Sequence, residues 1–204
     1  MPLPPDPRRR VSRVRIILGA LLTGATSVVL VSRAAEKPDA ANDTDHARSV
    51  HAFRQVASVL RHPRCINCHT VTNFPRQGNE RRRHDMNVVR GSDDHGAPAM
   101  RCYSCHQHVN QQNGVPGAPN WGLAPLSMAW EGLDDHQLAE MLKNPEKNGH
   151  RSLEQIFEHN VHDELVGWGW QPGAGRETPP LTREEFGKAL REWISTGAVS
   201  PDSK

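Results

Sequence analysis

The chain has 204 residues, enough for one compact domain or two very small ones. Only 36% of the residues are hydrophobic and 5% are aromatic, so a core of side chains alone would be thin, and a large apolar cofactor would help to fill it. Residues 1–34 hold six of the 25 basic residues and one of the 23 acidic residues, which leaves 19 basic and 22 acidic residues elsewhere. This balance argues against a nucleic acid partner, because such a partner requires a basic face.

Residues 1–34 have the pattern of an export signal. A basic stretch over residues 8–15 precedes an apolar run over residues 16–31. At about 1.5 Å per residue, this run would span about 24 Å, short of the roughly 30 Å hydrocarbon core of a bilayer. Small residues stand at the two positions that signal peptidase reads, which predicts cleavage before Ala35 and a periplasmic protein. The alternative is an uncleaved signal anchor, which would be the chain's attachment to the membrane.

The first half of the chain predicts a linker and one helix. Residues 35–45 are polar and predict a linker that leads into a mature domain over residues 46–200. Residues 45–61 predict a helix, because apolar residues recur there at the spacing of one helical face, at Val50, Phe53, Val56, Ala57 and Leu60. Pro63 ends this predicted helix, and the first cysteine cluster follows it.

The second half predicts loops and short helices. Residues 107–133 are rich in Gly, Pro, Asn and Gln, which is typical of a long loop. Three helices then begin with the capping-box pattern; its paired residues are Asp134 with Gln137, Ser152 with Gln155, and Thr182 with Glu185. An aromatic loop is predicted over residues 167–173. Because no strand pattern of useful length occurs, we expect an all-α fold with long Gly/Pro-rich connections.

Two clusters share the pattern C-x-x-C-H and use all four cysteines of the chain. They are Cys65, Cys68 and His69, and, 37 residues later, Cys102, Cys105 and His106. In an exported chain this pattern predicts c-type haem attachment. Two cysteines three positions apart can form thioethers with the two vinyl groups on one porphyrin edge, and the adjacent histidine then lies beneath the iron as its proximal ligand. The sequence therefore predicts two covalently bound haem c groups.

Three other interpretations of the cysteine pairs stay open. A structural zinc site is one, although the pairs lie farther apart than in a zinc ribbon and exported ribbons are uncommon. A thioredoxin-like redox pair is another, but it requires a βαβ setting that the sequence lacks. Two structural disulfides are the third. Haem attachment alone explains the histidine that follows each pair.

The sixth ligand of each iron decides the reduction potential, because a methionine thioether raises it relative to a second histidine. Met86, between the two motifs, and Met128, in a loop beyond the second motif, are the predicted distal ligands. Met141 is expected in the core, since it lies on the apolar side of a predicted helix. The histidines that stay alternatives are His84, His95, His159 and His162.

Other residues near the motifs have less specific roles. The basic run over residues 81–83 is expected in a solvated loop, with haem propionates as the alternative partner. Trp168 and Trp170 are expected to pack at a haem edge or in the core, in preference to relaying electrons.

The motifs, the helix before them and the closing segment 181–194 resemble c-type cytochromes, in which the first and last helices cross and grip the haem. Residues 84–88 and 168–170 make residues 50–200 resemble exported bacterial proteins labelled "isoquinoline 1-oxidoreductase subunit". The resemblance implies a cytochrome c-like fold around two covalent haems and a link to molybdenum hydroxylases, which pass electrons to cytochromes. The chain has no free cysteine for iron–sulfur clusters and is too short for a molybdopterin domain, so it would be such an enzyme's electron acceptor.

Electron transfer with redox partner proteins is therefore the expected function. The alternative is a haem enzyme in which one iron lacks a sixth protein ligand and binds peroxide or another small redox substrate. A third possibility is a sensor or interaction module in which haem is mainly structural. A high-spin iron that binds carbon monoxide when reduced would favour the enzyme.

Overall fold

The longest helix, α1, covers Ala40–Leu60 and leads directly into the first cysteine motif. The computed structural model of the chain describes residues 40–203. The other α-helices in this range are α2 (Pro63–Ile66), α3 (Asp135–Lys143), α4 (Leu153–His162), α5 (Glu164–Trp168) and α6 (Arg183–Ser195). The described part of the chain is mostly helical, as the sequence predicts. None of its helices is long and apolar enough to cross a membrane.

Four two-residue strands form two small antiparallel hairpins between the cysteine motifs. Strand β1 (Arg76–Gln77) pairs with β2 (Arg82–Arg83), and β3 (Gly96–Ala97) pairs with β4 (Met100–Arg101). Their register is set by two residue pairs each. Strands this short carry no detectable alternation, so sequence periodicity could not have predicted them.

The linker prediction for residues 35–45 is wrong at its C-terminal end, because α1 already begins at Ala40. Alanine is the best helix former, and Asp43 lies in the first turn, where an acidic side chain interacts favourably with the helix dipole. The rest of that segment, and the export-signal prediction for residues 1–34, fall outside the described residues.

Helices α1 and α6 pack against each other more extensively than any other pair of elements. The rings of Phe53 on α1 and Trp193 on α6 lie 4.9 Å apart. Ser49 is buried beside these two rings. Its neighbour Val50, which the sequence predicts on the apolar face of the helix, is only half-buried. The Ser49 hydroxyl donates to the carbonyl of Trp193 (3.3 Å) and accepts from the N–H of Val199 (3.0 Å), which satisfies its polar atom inside the core.

Helices α3 and α4 complete the hydrophobic core, and all three predicted capping boxes are present at α3, α4 and α6. Helix α5 departs from the prediction of an aromatic loop over residues 167–173. Asp163 accepts a hydrogen bond from the N–H of Val166 and caps this short helix, which ends at Trp168. Trp170 packs against the core, since its ring lies 5.5 Å from Phe186 and its Nε1 donates to the carbonyl of Leu181 (2.8 Å).

Arg90 ties the loop between the motifs to the rest of the domain. Its guanidinium is buried and pairs with Asp94 at 2.6 Å. It also donates to the backbone carbonyls of Thr70 (3.2 Å), Thr72 (3.3 Å) and Ala124. These carbonyls belong to the segment after the first motif and to the loop after the second, so one side chain holds three stretches of chain together.

Replacing Arg90 with methionine is expected to destabilise the holoprotein by about 2–3 kcal/mol, because several buried carbonyls would lose their donor. Unfolding in guanidinium chloride, followed by far-ultraviolet circular dichroism, measures the change. Arg54→Met is the matched control, since Arg54 is exposed on α1; we expect a change within about 0.5 kcal/mol for it. Equal effects of the two substitutions would contradict this role of Arg90.

Candidate functional site

The two C-x-x-C-H motifs adopt the same backbone turn. In each motif the N–H of the histidine donates to the carbonyl of the first cysteine, at 3.1 Å in the first motif and 2.9 Å in the second. The N–H of the second cysteine donates to that same carbonyl at 3.2 Å in both. The sequence repeat is therefore also a repeat of local structure, although the first turn extends α2 and the second follows β4.

The first motif borders a cavity of about 360 Å³, here named the first-motif cavity. Cys65, Cys68 and His69 line it on one side. Core residues line it on the other, among them Leu60 from α1 and Ile156 from α4. A volume of this size lies within the range of about 300–1,000 Å³ that is usual for cofactor sites.

The second motif borders a separate cavity of about 460 Å³, here named the second-motif cavity. Cys102, Cys105 and His106 line it. It is richer in positive charge than the first-motif cavity; its arginines are Arg64, Arg76, Arg82, Arg101 and Arg176. The arginines of residues 81–83 therefore differ in their surroundings. Arg82 lines the cavity, where a haem propionate could be its partner, whereas Arg81 pairs with Glu131 at 2.6 Å.

The two cavities share part of their walls. Cys68 of the first motif borders both of them, as do Trp121 and Trp168. The rings of these two tryptophans contact each other edge to face, with centres 4.7 Å apart. Groups bound in the two cavities would therefore be near neighbours, separated by single side chains.

Each motif histidine makes the same two contacts, a hydrogen bond from Nδ1 to a backbone carbonyl and a stacked tryptophan ring. The Nδ1 of His69 donates to the carbonyl of Met128, and the Nδ1 of His106 donates to the carbonyl of Pro116, both at 2.7 Å. A tryptophan ring stacks on each imidazole, Trp130 on His69 (3.4 Å between centres) and Trp121 on His106 (4.4 Å). Because a carbonyl can only accept, Nδ1 carries the proton and Nε2 keeps its lone pair for a metal.

Both histidines are neutral at neutral pH. Burial lowers the pKa of His69 to about 4, and burial also lowers the pKa of His106. A neutral imidazole with a free Nε2 is the form that binds a metal.

Burial keeps the thiols of Cys65, Cys68 and Cys102 protonated in the folded chain. Burial raises the pKa of Cys65 to about 12 and that of Cys68 to about 11, and it raises the pKa of Cys102 as well. Protonated thiols are weak nucleophiles.

The structure places the two predicted distal methionines differently. Met86 borders the second-motif cavity, but 73% of its surface is exposed to solvent. Met128 borders the first-motif cavity, but its carbonyl accepts the hydrogen bond from Nδ1 of His69, on the side of the ring away from the metal-binding Nε2. Its backbone therefore lies on the proximal side of the site, which counts against Met128 as the distal ligand there. Met141 borders the same cavity and packs against the core, as expected.

Three of the four alternative histidines border the cavities. His84 borders the second-motif cavity, and His95 and His159 border the first-motif cavity. The side chain of His162 is 63% exposed and pairs with Glu158 on the same helix. The supporting tryptophans Trp121 and Trp130 were missed by sequence reasoning, since no local pattern distinguishes them from other loop residues.

The residues present fit two haems attached through the motifs. Each cavity offers a cysteine pair, a neutral imidazole with a free Nε2, and apolar walls. The second-motif cavity also has donors without partners: the buried Nε atoms of Arg64 and Arg76 make no hydrogen bond within residues 40–203. Haem propionates are acceptors that would satisfy such donors.

Comparison with known proteins adds nothing to this chemistry: no protein family, curated protein or solved structure matches the chain.

Proposed function

We propose that the chain is an exported, periplasmic di-haem cytochrome c whose work is electron transfer. The observation that carries this proposal is the repeated site: two C-x-x-C-H turns of the same backbone geometry, each bordering its own cavity. A zinc site would require the two cysteine pairs to converge on one point. Here Cys65 and His69 border the first-motif cavity alone and the second motif borders the second-motif cavity alone, while Cys68 lies in the wall between them.

The roles of the residues follow from this assignment. Cys65, Cys68, Cys102 and Cys105 hold the haems covalently, and His69 and His106 are the proximal ligands. When bound, each haem supplies a one-electron carrier. The chain holds the haems covalently, provides the axial ligands that set their reduction potentials, and surrounds them with a low-dielectric environment. Because the cavities share Cys68, Trp121 and Trp168 as walls, it also keeps its two redox groups close together.

The proposed partners are redox proteins, and the resemblance described above adds a molybdenum hydroxylase as the proposed electron donor. Such an enzyme oxidises its substrate by two electrons and would deliver them one at a time. Two haems on one acceptor suit that delivery. Mixing the oxidised cytochrome with a substrate-reduced hydroxylase of this class should reduce its haems; a failure to reduce them would remove this donor and leave the electron-transfer role standing.

A reductive titration of the purified protein tests the electron-transfer proposal. We expect two electrons taken up per chain, with reversible reoxidation and no carbon monoxide bound by the reduced form. Uptake of one electron per chain would contradict the di-haem assignment. Carbon monoxide binding by the reduced native protein would instead favour the enzyme with one open distal site.

A further inference from the structure

His84 lies opposite His106 across part of the second-motif cavity. Their ring centres are 5.9 Å apart, and their planes are inclined at 71°. Metal–imidazole bonds are about 2.0–2.1 Å long and the ring centre lies about 1.1 Å behind the bonding nitrogen, so two imidazoles on opposite sides of one metal place their centres about 6.3 Å apart. The observed separation therefore suits a shared metal.

Both imidazoles have the same nitrogen available. The Nδ1 of His84 donates to the carbonyl of Asp85 at 2.7 Å, just as the Nδ1 of His106 donates to Pro116. Neither Nε2 has a hydrogen-bond partner in the part of the chain that the structure describes. Each ring thus keeps a lone pair on Nε2, as two axial ligands of one iron require.

The β1–β2 hairpin holds His84 in place. The N–H of His84 donates to the carbonyl of Pro75 at 3.0 Å. The next residue, Asp85, accepts from Arg82 at 2.5 Å and from Gln77 at 2.8 Å, and these two residues belong to the hairpin. His84 is therefore anchored on both sides, by the backbone before it and by the carboxylate after it.

The same turn directs Met86 outward. Met86 has a left-handed backbone conformation, with φ of 64°. Methionine adopts this conformation rarely, and its side chain here is the most exposed of the large apolar ones in the described residues. The geometry of the turn favours His84, not Met86, as the residue that faces His106.

Met128 cannot reach the far side of the first site. Its carbonyl lies behind His69, so a ligand beyond a metal on Nε2 would lie about 9 Å from that carbonyl oxygen, whereas a methionine sulfur reaches at most about 6 Å from its own carbonyl oxygen. The first-motif cavity must therefore take its distal ligand from another element.

His159 on α4 lines the same cavity as His69. Its Nδ1 faces the carboxylate of Asp163 at 3.7 Å, which leaves Nε2 as the ligating nitrogen. A carboxylate behind a histidine is a common arrangement at metal sites, where it orients the ring.

His95 borders the first-motif cavity but faces a wall of it. Its Nε2 lies 2.9 Å from the point where a Cβ on Gly122 would stand, so the ring edge abuts the backbone there. Its Nδ1 donates to the carbonyl of Asp93 at 2.5 Å. These contacts make His95 a packing residue of the loop.

We propose that both irons have two histidine ligands, with His84 opposite His106 and His159 opposite His69. This inference rests on the proposed function and specifies its chemistry: a second histidine in place of methionine gives a low-potential carrier. The protein would thus accept electrons only from strongly reducing partners.

The native protein provides the first test. We expect the magnetic circular dichroism spectrum of the oxidised form to show two low-spin irons with the near-infrared band of bis-histidine ligation and no iron–methionine band. An iron–methionine band from either haem, in a chain with two haems by the pyridine haemochrome assay, would overturn this inference alone. Fewer than two haems per chain would overturn the proposed function and the inference with it.

Single substitutions test which histidines are the distal ligands. His84→Ala and His159→Ala should each open one iron, so that carbon monoxide binding by the reduced protein rises from none to one per chain, with two haems retained. His84→Met should keep that iron low-spin and raise its reduction potential. Met86→Leu should leave the native spectrum unchanged, as should the control His162→Ala on the exposed side of α4. Carbon monoxide binding by Met86→Leu, or none by His84→Ala, would overturn the assignment of His84.

Discussion

Replacing Cys65 and Cys68 with alanine is expected to unfold the domain, whereas replacing Cys102 and Cys105 should remove one covalent haem and leave the helices folded. The two pairs have the same sequence pattern and the same backbone turn. They differ in what surrounds the cofactor cavity. The first-motif cavity adjoins the hydrophobic core, and the second-motif cavity is walled by loops and short hairpins.

The size of the first effect follows from the empty volume. Leu60, Leu142 and Ile156 belong to the core and also line the first-motif cavity, so their helices keep the cavity open when nothing fills it. Empty space beside a core costs stability, because the side chains around it lose packing contacts.

The second-motif cavity is larger, but its walls can move inward. Long polar side chains such as Arg82 and Arg176 line it, together with residues of the loops. The cost of an empty site depends on how far the site can collapse. We therefore expect a smaller loss of stability for this pair, although its haem would be lost just as completely.

Far-ultraviolet circular dichroism and haem staining of the two double variants measure the difference. The expected result is a helical protein with one covalent haem for Cys102→Ala/Cys105→Ala and an unfolded or degraded chain for Cys65→Ala/Cys68→Ala. The opposite order would contradict the placement of the first haem against the core.

Replacing Trp193 with alanine is expected to destabilise the holoprotein by about 3–5 kcal/mol. Trp193 is fully buried where α6 crosses α1, and its ring packs 4.9 Å from that of Phe53. Its Nε1 also donates to the carbonyl of Val199 at 2.9 Å. The substitution would leave a large cavity in the core and an unpaired carbonyl beside it.

Equilibrium unfolding in guanidinium chloride tests this value. Trp193→Phe separates the two contributions, because it keeps most of the ring volume and removes the donor; we expect it to cost about 1–2 kcal/mol. Lys188→Gln on the exposed face of α6 is the matched control and should change stability by about 0.5 kcal/mol or less. A loss below about 1 kcal/mol for Trp193→Ala would be incompatible with a core at this crossing.

The features that the sequence predicted correctly are local ones. Capping boxes depend on two residues three positions apart, so Asp134, Ser152 and Thr182 mark the starts of their helices directly. The apolar faces of α1 and α6 follow from a period of 3.6 residues, and the C-x-x-C-H motifs are short enough to read from the chain.

The features that it missed depend on contacts between distant segments. His69 bonds to the carbonyl of Met128, 59 residues away, and nothing in either segment's composition encodes that contact. Sequence reasoning placed Met128 on the distal side because a loop methionine is a plausible ligand. Only the path of the folded chain shows that its backbone lies behind His69. Likewise, His84 and Met86 are two residues apart in sequence and both border the second-motif cavity, and the left-handed turn favours His84 as the residue that faces His106.

Trp168 and Trp170 also show which features the sequence predicts and which depend on the fold. Trp168 was expected at a haem edge or in the core, and it borders both cavities at the end of α5. Trp170, two residues later, packs instead against Phe186 in the core. The pattern Trp-Gly-Trp predicts aromatic packing, but the helix end at Trp168 sets the two rings on different sides.

The mass of the intact, denatured protein purified from an exporting host tests the central claim most directly, since only covalent groups survive denaturation. The proposed function predicts the mass of the polypeptide that begins at Ala35, increased by two haem groups, with no free thiol left for alkylation. A mass without haem, with four alkylatable thiols or two disulfides, would contradict it.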